Sequence, residues 1–239
     1  MPYAPGRMTA MRWLAALGLA GLVCFQSEAV RAQGPRPDPA RTTSIARRGV
    51  RAESFGEAER AALLSGETVS RPMVLSRAGG RYVGGVSYQV VRASPAEVLA
   101  ALGDMRELPQ MLPRTKSARL VDVTRRGARV ELTQGTRLVE TTYTVTLRRV
   151  GASELRFRLD PSRPHGIRDV WGYVRARPIG SGATLVTVAV ALDVGPGLTR
   201  ALFEDRIQAV ILSTPRHIRD YLEPRALART EASGSPRGM

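Results

Sequence analysis

The sequence predicts an α+β domain in which a curved, seven-stranded antiparallel sheet wraps around one long C-terminal helix. Three observations carry that prediction. Six strand-like segments follow one another between residues 117 and 193 with only turns between them. A seventh precedes them at 81–93 and is separated from them by two short helical segments. An apolar stripe at helical spacing then runs from Leu198 to Leu222. With 239 residues and 43% hydrophobic content, the chain is long enough to bury such a core.

The N-terminal part reads differently. Arg7 and Arg12 precede an uncharged apolar run from Trp13 to Phe25, and Ala29-Val30-Arg31-Ala32 places small residues where a signal peptidase reads. The run is shorter than the roughly 20 residues that span a bilayer. Residues 1–32 are therefore expected to be a secretory signal cleaved near Ala32, leaving an exported, periplasmic or extracellular chain. An uncleaved anchor and a lipoprotein signal using Cys24 are the alternatives, and Val23 directly before that cysteine fits the second poorly. Cys24 is the only cysteine, so cleavage leaves neither disulfide nor thiolate chemistry.

Residues 33–52 are Pro, Arg, Ser and Thr with few apolar side chains, a composition that cannot offset ordering entropy by burial, and they read as a disordered linker. Residues 53–80 follow as a short helix and lead-in, with Ser54 to Leu64 helical and Gly66 placed to end it.

The main domain occupies 81–223. Its first strand alternates, with Val86, Tyr88 and Val90 on one side and Ser87 and Gln89 on the other. Ser94 then caps a helix, Pro95 suits its first turn and Glu97 completes a capping box. Gly103 ends this helix, Asp104 caps a second, and Pro113 stops that one. The six strands are expected over 117–124, 129–137, 139–150, 155–159, 169–178 and 183–193. In the closing helix Leu198, Leu202, Ile207, Ile211, Ile218 and Leu222 form the stripe. Pro215 inside a straight helix costs about 3 kcal/mol, so a kink is expected near Thr214. Residues 224–239 read as a disordered tail.

A seven-stranded antiparallel sheet twists and curls, and a long amphipathic helix lies naturally in the resulting concavity. The two short helices would wall one end of a cavity between sheet and helix.

Three stretches resemble one superfamily. They are Tyr88-Gln-Val-Val-Arg-Ala-Ser-Pro-Ala-Glu-Val-Leu-Ala-Ala-Leu-Gly-Asp-Met105, Leu108-Pro-Gln-Met-Leu-Pro113, and Asp169-Val-Trp-Gly-Tyr173 before a Gly-rich turn. The segment from about Val83 to Glu223 resembles the START-like, or helix-grip, superfamily, and most closely its bacterial coenzyme-Q-binding and polyketide-cyclase-like branch. Leu63-Leu-Ser-Gly-Glu-Thr-Val69 is similar to the lead-in of exported members. Leu108 and Met111 stand where the family usually carries aromatics. The resemblance implies a pocket for one hydrophobic molecule, such as a lipid, quinone, sterol or polyketide. The leading expectation is an exported, non-enzymatic binder or carrier of such a molecule, with a cyclase or dehydratase acting in the same cavity as the alternative.

Candidate contacts are Tyr88, Met111, Tyr143, Phe157, Trp171, Phe203 and Ile211, of which Tyr88, Tyr143, Phe157 and Phe203 fit ordinary core equally well. Catalytic equipment is sparse. No zinc pattern, nucleophile elbow, Walker loop or dinucleotide glycine pattern occurs, so no metal or cofactor is expected. His165, in a loop beside a strand end, is the one candidate acid or base, weighed against a solvated loop histidine. Arg175 and Arg177 alternate with Trp171 and Tyr173, on a strand whose inward face the sequence leaves open.

The net charge is +15. The leader carries Arg7, Arg12 and Arg31 against Glu28, a net +2, which leaves +13 on the remainder. Every basic residue of the sequence except Lys116 is Arg, and Asn is absent, a bias that fits genomic base composition. A solvated basic surface is one reading, and peripheral contact with an anionic membrane is another. Nucleic acid is not expected as a partner, and the sequence leaves the oligomeric state open.

Overall fold

The computed structural model describes residues 55–77, 80–125, 127–137, 139–179, 182–196 and 198–234. The expected leader, the whole of the expected linker and residues 235–239 of the expected tail lie outside the described residues. In chain order the elements are α1 (Glu57–Leu64), β1 (Val69–Arg77), β2 (Gly80–Val91), α2 (Pro95–Leu102), α3 (Leu108–Met111), β3 (Thr115–Thr124), β4 (Gly127–Gly135), β5 (Glu140–Val150), β6 (Glu154–Leu159), β7 (Asp169–Ile179), β8 (Ala183–Asp193), α4 (Leu198–Leu212) and α5 (Thr214–Gly234). The strands form one antiparallel sheet in the order β1-β2-β8-β7-β6-β5-β4-β3.

The α+β class and the arrangement of sheet and C-terminal helix are as expected, with eight strands rather than seven. The additional strand is β1, within the lead-in, paired with β2 from Val69↔Tyr88 to Arg77↔Gly80. Its Ser-Arg-Pro opening hides it from a periodicity reading, but Pro72 has no N–H to give a ladder and sits acceptably on the edge strand that β1 is.

Helix ends follow the expected chemistry. The Ser94 Oγ accepts from the Glu97 backbone N–H at 3.3 Å, and the Glu97 carboxylate accepts from the Ser94 N–H at 2.8 Å. Such a cap stabilises α2 by about 1 kcal/mol. The C-terminal helix breaks at Ser213, so Pro215 falls in the first turn of α5 rather than inside a continuous helix. Ser213 and Thr214 hydroxyls donate to the Val210 and Ile211 carbonyls, satisfying acceptors at the end of α4.

The tail differs from expectation. The helix continues through Pro224 to Gly234. The Arg225 guanidinium donates to the Tyr221 carbonyl at 3.0 Å and lies 3.6 Å from the centre of its ring, and Ala-Leu-Ala beyond it favours helix.

Both faces of the β2 region are covered. Parity places Val83, Gly85, Ser87, Gln89 and Val91 toward the C-terminal helices, and Val86, Tyr88 and Val90 on the opposite, outer face. Ser87, Tyr88 and Gln89 are all buried. On the outer face α1 closes a small cluster of Leu63, Val69, Tyr88 and Leu185, with Phe55 edge-on to Tyr88 at 4.9 Å. The main core lies on the inner face, where β4 to β8 meet α2, α3 and α5 through Val98, Met111, Val130, Val186 and Ile218.

Glu154 begins β6 on the outer face, 7% exposed, within ion-pair distance of Arg156 and Arg175. Burial raises its pKa, but hydrogen bonds from Arg156 and Arg175 outweigh this and leave it below the ordinary 4.5. A depressed folded pKa contributes stability above the unfolded value, and that stability is lost as pH falls through the folded one. Below about pH 4.5 the wild-type Tm is therefore expected to fall more steeply than that of Glu154→Gln, which starts lower at neutral pH. Equal slopes in a pH series of melting curves contradict this.

Candidate functional site

Residues directly opposite in an antiparallel pair share a face. The register therefore reads out the inner face row by row. One row runs Val190, Gly172, Phe157, Leu147 and Ala128 across β8 to β4. Its four side chains are only half-buried. The row on one side holds half-buried Leu192 and then Val170, Leu159, Val145 and Val130, all buried; that on the other holds Val188, Val174 and Leu155, all buried, and ends in the exposed Arg149. An apolar row left half-open between two largely buried rows, on the helix-covered side of the sheet, is the candidate floor of a ligand recess.

Two glycine positions shape this floor. Gly172 has no side chain, and the Phe157 ring lies over it: a Cβ there would meet Phe157 Cζ at 2.5 Å and the Ala189 carbonyl oxygen at 2.1 Å. Gly85, level with Val190 on β2, has φ 143° and a Cβ there would meet the Arg71 carbonyl oxygen at 2.2 Å. Both keep the backbone bare facing the helices.

Helix α4 runs along the β1–β2 edge. Arg81 pairs with Glu204 at 2.7 Å, and Gln208 donates to the carbonyls of Met73 at 3.1 Å and Gly84 at 2.9 Å. Phe203, Ile207 and Ile211, at i, i+4 and i+8, form an adjoining apolar stripe and are likewise half-buried. The next helix differs: Ile218, Tyr221 and Leu222 of α5 are buried in the core with Leu108 and Met111 of α3. The two short helices after β2 thus help close one end, whereas α4 leaves apolar surface partly open.

The polar groups of the inner face are few. The Tyr143 hydroxyl donates to Gln134 Oε1, and Gln134 Nε2 donates to Thr115 Oγ1 at 2.7 Å. Burial pushes the Tyr143 hydroxyl pKa up. Ser87 Oγ is buried with no hydrogen-bond partner among the described residues. Gln134 and Thr115 were not among the candidates, yet Gln134 shares parity with Ala128, Val130 and Leu132. That parity was the available signal.

Of the seven sequence candidates, Tyr143 and Phe157 lie on the inner face, Met111 is buried in the core beside it, and Phe203 and Ile211 are on α4. Tyr88 and Trp171 are not with them. Tyr88 is on the outer face beneath α1, because β2 is covered on both sides and its more polar face is the inner one. Trp171 is also on the outer face, opposite Ala191 and Arg158, since Gly172 takes the inward position. It sits 6.4 Å from Tyr82, whose hydroxyl donates to Asp169 at 2.8 Å and is pushed up to about 12, first by burial and then by that carboxylate. Tyr173, Arg175 and Arg177 share this outer face. His165 is exposed, its Nδ1 donating to the Ile167 carbonyl at 2.6 Å, which ties the ring to its own loop.

A separate polar groove of about 590 Å³ opens between the Gly66–Ser70 segment and the α4–α5 junction, lined by Thr68, Ser70, Ser213, Arg216 and Arg219 among others. Its lining mixes these polar groups with Ala209 and Leu212. Among the described residues no cluster of three or more His, Cys, Asp or Glu is placed to hold a metal, and no helix is long and apolar enough to cross a membrane.

A sequence model for the family described as polyketide cyclase / dehydrase and lipid transport matches residues 85–217, more than half of the chain and all of the recess floor. Among solved structures, one protein from Thermus thermophilus is similar over 61% of this chain and 97% of its own, with 16% identity and a TM-score of 0.51. The Zhui aromatase/cyclase from Streptomyces sp. R1128 is similar over 70% of this chain and 99% of its own, with 14% identity and a TM-score of 0.51. At such identities these likenesses concern the fold. A search of curated proteins found no match.

Proposed function

The chain belongs to the polyketide cyclase / dehydrase and lipid transport family, within the START-like superfamily, and from that premise we propose that it binds and carries one hydrophobic small molecule. The ligand is a lipid, quinone or polyketide-like compound held between the inner face of the sheet and α4. The observation that carries this reading is the half-open apolar row Val190, Phe157, Leu147 and Ala128 flanked by largely buried rows. Concave apolar surface with a few fixed polar groups is the usual form of a small-molecule site. Met111 and Tyr143 support its wall, Tyr143 and Gln134 supply polar groups, and Phe203 and Ile211 form the helical side.

A titration with a fluorescent fatty-acyl probe tests this. The wild type is expected to bind saturably, one probe per chain. Ile211→Trp, which adds bulk to a half-buried position, is expected to weaken binding about tenfold or more while leaving Tm within a few degrees. Unchanged probe affinity in the folded variant removes Ile211 from the site, and absence of saturable binding to the wild type contradicts the carrier reading.

A second reading, a cyclase or dehydratase in the same recess, draws on the family description. The inner-face groups weigh against it: Tyr143, its pKa raised by burial, together with Gln134, Thr115 and Ser87, is poorly matched to moving protons near neutral pH. His165 is tied to its own loop.

We place the carrier outside the cytoplasm, on the strength of Arg7, Arg12, the Trp13–Phe25 run and the small residues before Gln33. Fractionation of the host with N-terminal sequencing is expected to find an exported chain starting at or near Gln33. A cytoplasmic chain retaining Met1 overturns this part of the proposal.

A further inference from the structure

The outer face of β5, β6 and β7 carries a second feature. Arg148, Arg156, Arg158, Arg175 and Arg177 all project from it. Of the nearby carboxylates on this side, Glu154 lies among them, whereas Glu140, Asp160 and Asp169 lie toward the strand ends and are engaged by Lys116, Arg129 and the Tyr82 hydroxyl. Arg148 stands directly opposite Arg156, a like-charge cross-strand pair that destabilises a sheet. Arg148, Arg156, Arg158 and Arg177 are exposed. Among the described residues, Arg148 and Arg158 have no ion-pair partner.

The same face of the neighbouring strands is arranged differently. On β3 and β4, Arg119 pairs with Glu131 at 2.8 Å, and Arg129 pairs with Asp122 at 3.1 Å and Asp160 at 2.8 Å. A basic surface produced by composition alone has no reason to pair its arginines on two strands and crowd them on the next three. On the outer face of the sheet, Arg148 and Arg158 leave unbalanced positive charge on β5 and β6, whereas the arginines of β3 and β4 are paired.

We propose that this arginine face docks on an anionic lipid bilayer. The guanidinium groups spread in two directions, over strands about 4.8 Å apart and along each strand at about 6.5 Å for alternate residues. That spacing forms a planar array, which matches a sheet of anionic headgroups better than a single phosphate backbone. Trp171 and Tyr173, half-buried within the array, are the amphipathic aromatics that favour a membrane interface. Nucleic acid would need open ring faces for base stacking. Here Arg175 lies over the Tyr173 ring at 5.1 Å and Arg77 over the Trp171 ring at 5.9 Å. The membrane contact is on the face opposite the recess floor, so docking leaves that floor uncovered by the bilayer surface. It goes beyond the carrier reading and does not depend on it.

The test is flotation of the full chain with vesicles of phosphatidylglycerol mixed with phosphatidylcholine, against pure phosphatidylcholine. The apolar run near the N-terminus contributes to both, so the difference between compositions is the readout. Preferential binding to the anionic vesicles, weakening with added salt, is expected. Arg148→Gln/Arg158→Gln is expected to weaken that preference about 10- to 30-fold, with Tm unchanged. The control Arg92→Gln/Arg106→Gln, two exposed arginines outside the β5–β7 array, is expected to stay within about twofold of the wild type. Equal loss in both double variants, no loss in the first, or tighter binding to single-stranded oligonucleotide than to anionic vesicles at the same salt overturns the proposal. Because no carried ligand is needed, failure here is distinct from failure of the carrier reading.

Discussion

Ile218→Ala is expected to lower the Tm by about 6–12 °C. Ile218 is 0% exposed on α5 and belongs to the core that α2, α3 and the inner face of the sheet share. Truncation removes three buried carbons and leaves a cavity that only partly collapses, a loss of about 3 kcal/mol. In a chain of this size each kcal/mol moves Tm by about 2–4 °C. The effect is structural: α5 anchors the helical arm against the closed end, so apolar ligand affinity per folded molecule is expected to change little. A Tm within about 2 °C of wild type contradicts the placement of α5 as a core element.

Gly172→Ala is expected to damage both stability and ligand uptake. The added Cβ would stand 2.1 Å from the Ala189 carbonyl oxygen, which is backbone, and 2.5 Å from Phe157 Cζ, which is the far end of a side chain. The first contact requires β7 and β8 to move apart, and overpacking of this kind costs about 1–3 kcal/mol or more. The second drives the Phe157 ring off the glycine and into the recess. A fall in Tm together with weaker probe binding is the expected result. Adding Phe157→Leu is expected to recover part of the uptake and little of the Tm, because the backbone clash persists. Full recovery of both by that second change places the whole cost on Phe157, contrary to the account.

The fold was legible because its elements are local. The capping box at Ser94 and Glu97, the proline in the first turn of α2 and the strand β5 are written in consecutive residues, and the structure has each of them. What stayed hidden was whatever depends on which side of a strand is covered. Tyr88 and Trp171 alternate as well as Tyr143 and Phe157 do, but α1 buries Tyr88 from outside and Gly172 turns Trp171 outward. A period of two tells which residues share a face and not which face is the inner one. Gln134 went unnoticed for the opposite reason. It reads as a polar strand residue, and only the register joining it to Tyr143 and Thr115 shows it to be an inward group.

The same register accounts for the arginines. In sequence they look evenly scattered, and scatter argued for a solvated surface. Folding gathers Arg148, Arg156, Arg158, Arg175 and Arg177 onto three adjoining strands. Their clustering is a property of the sheet.

The central claim is that the recess over Val190, Phe157, Leu147 and Ala128 holds one apolar molecule. Native mass spectrometry of the chain, purified without detergent and then incubated with a total lipid extract of its host, tests this most directly. A species heavier than the chain by one apolar compound, present as purified or acquired on incubation, and diminished in Ile211→Trp, is expected. A wild-type chain that remains at its bare mass in both conditions contradicts it.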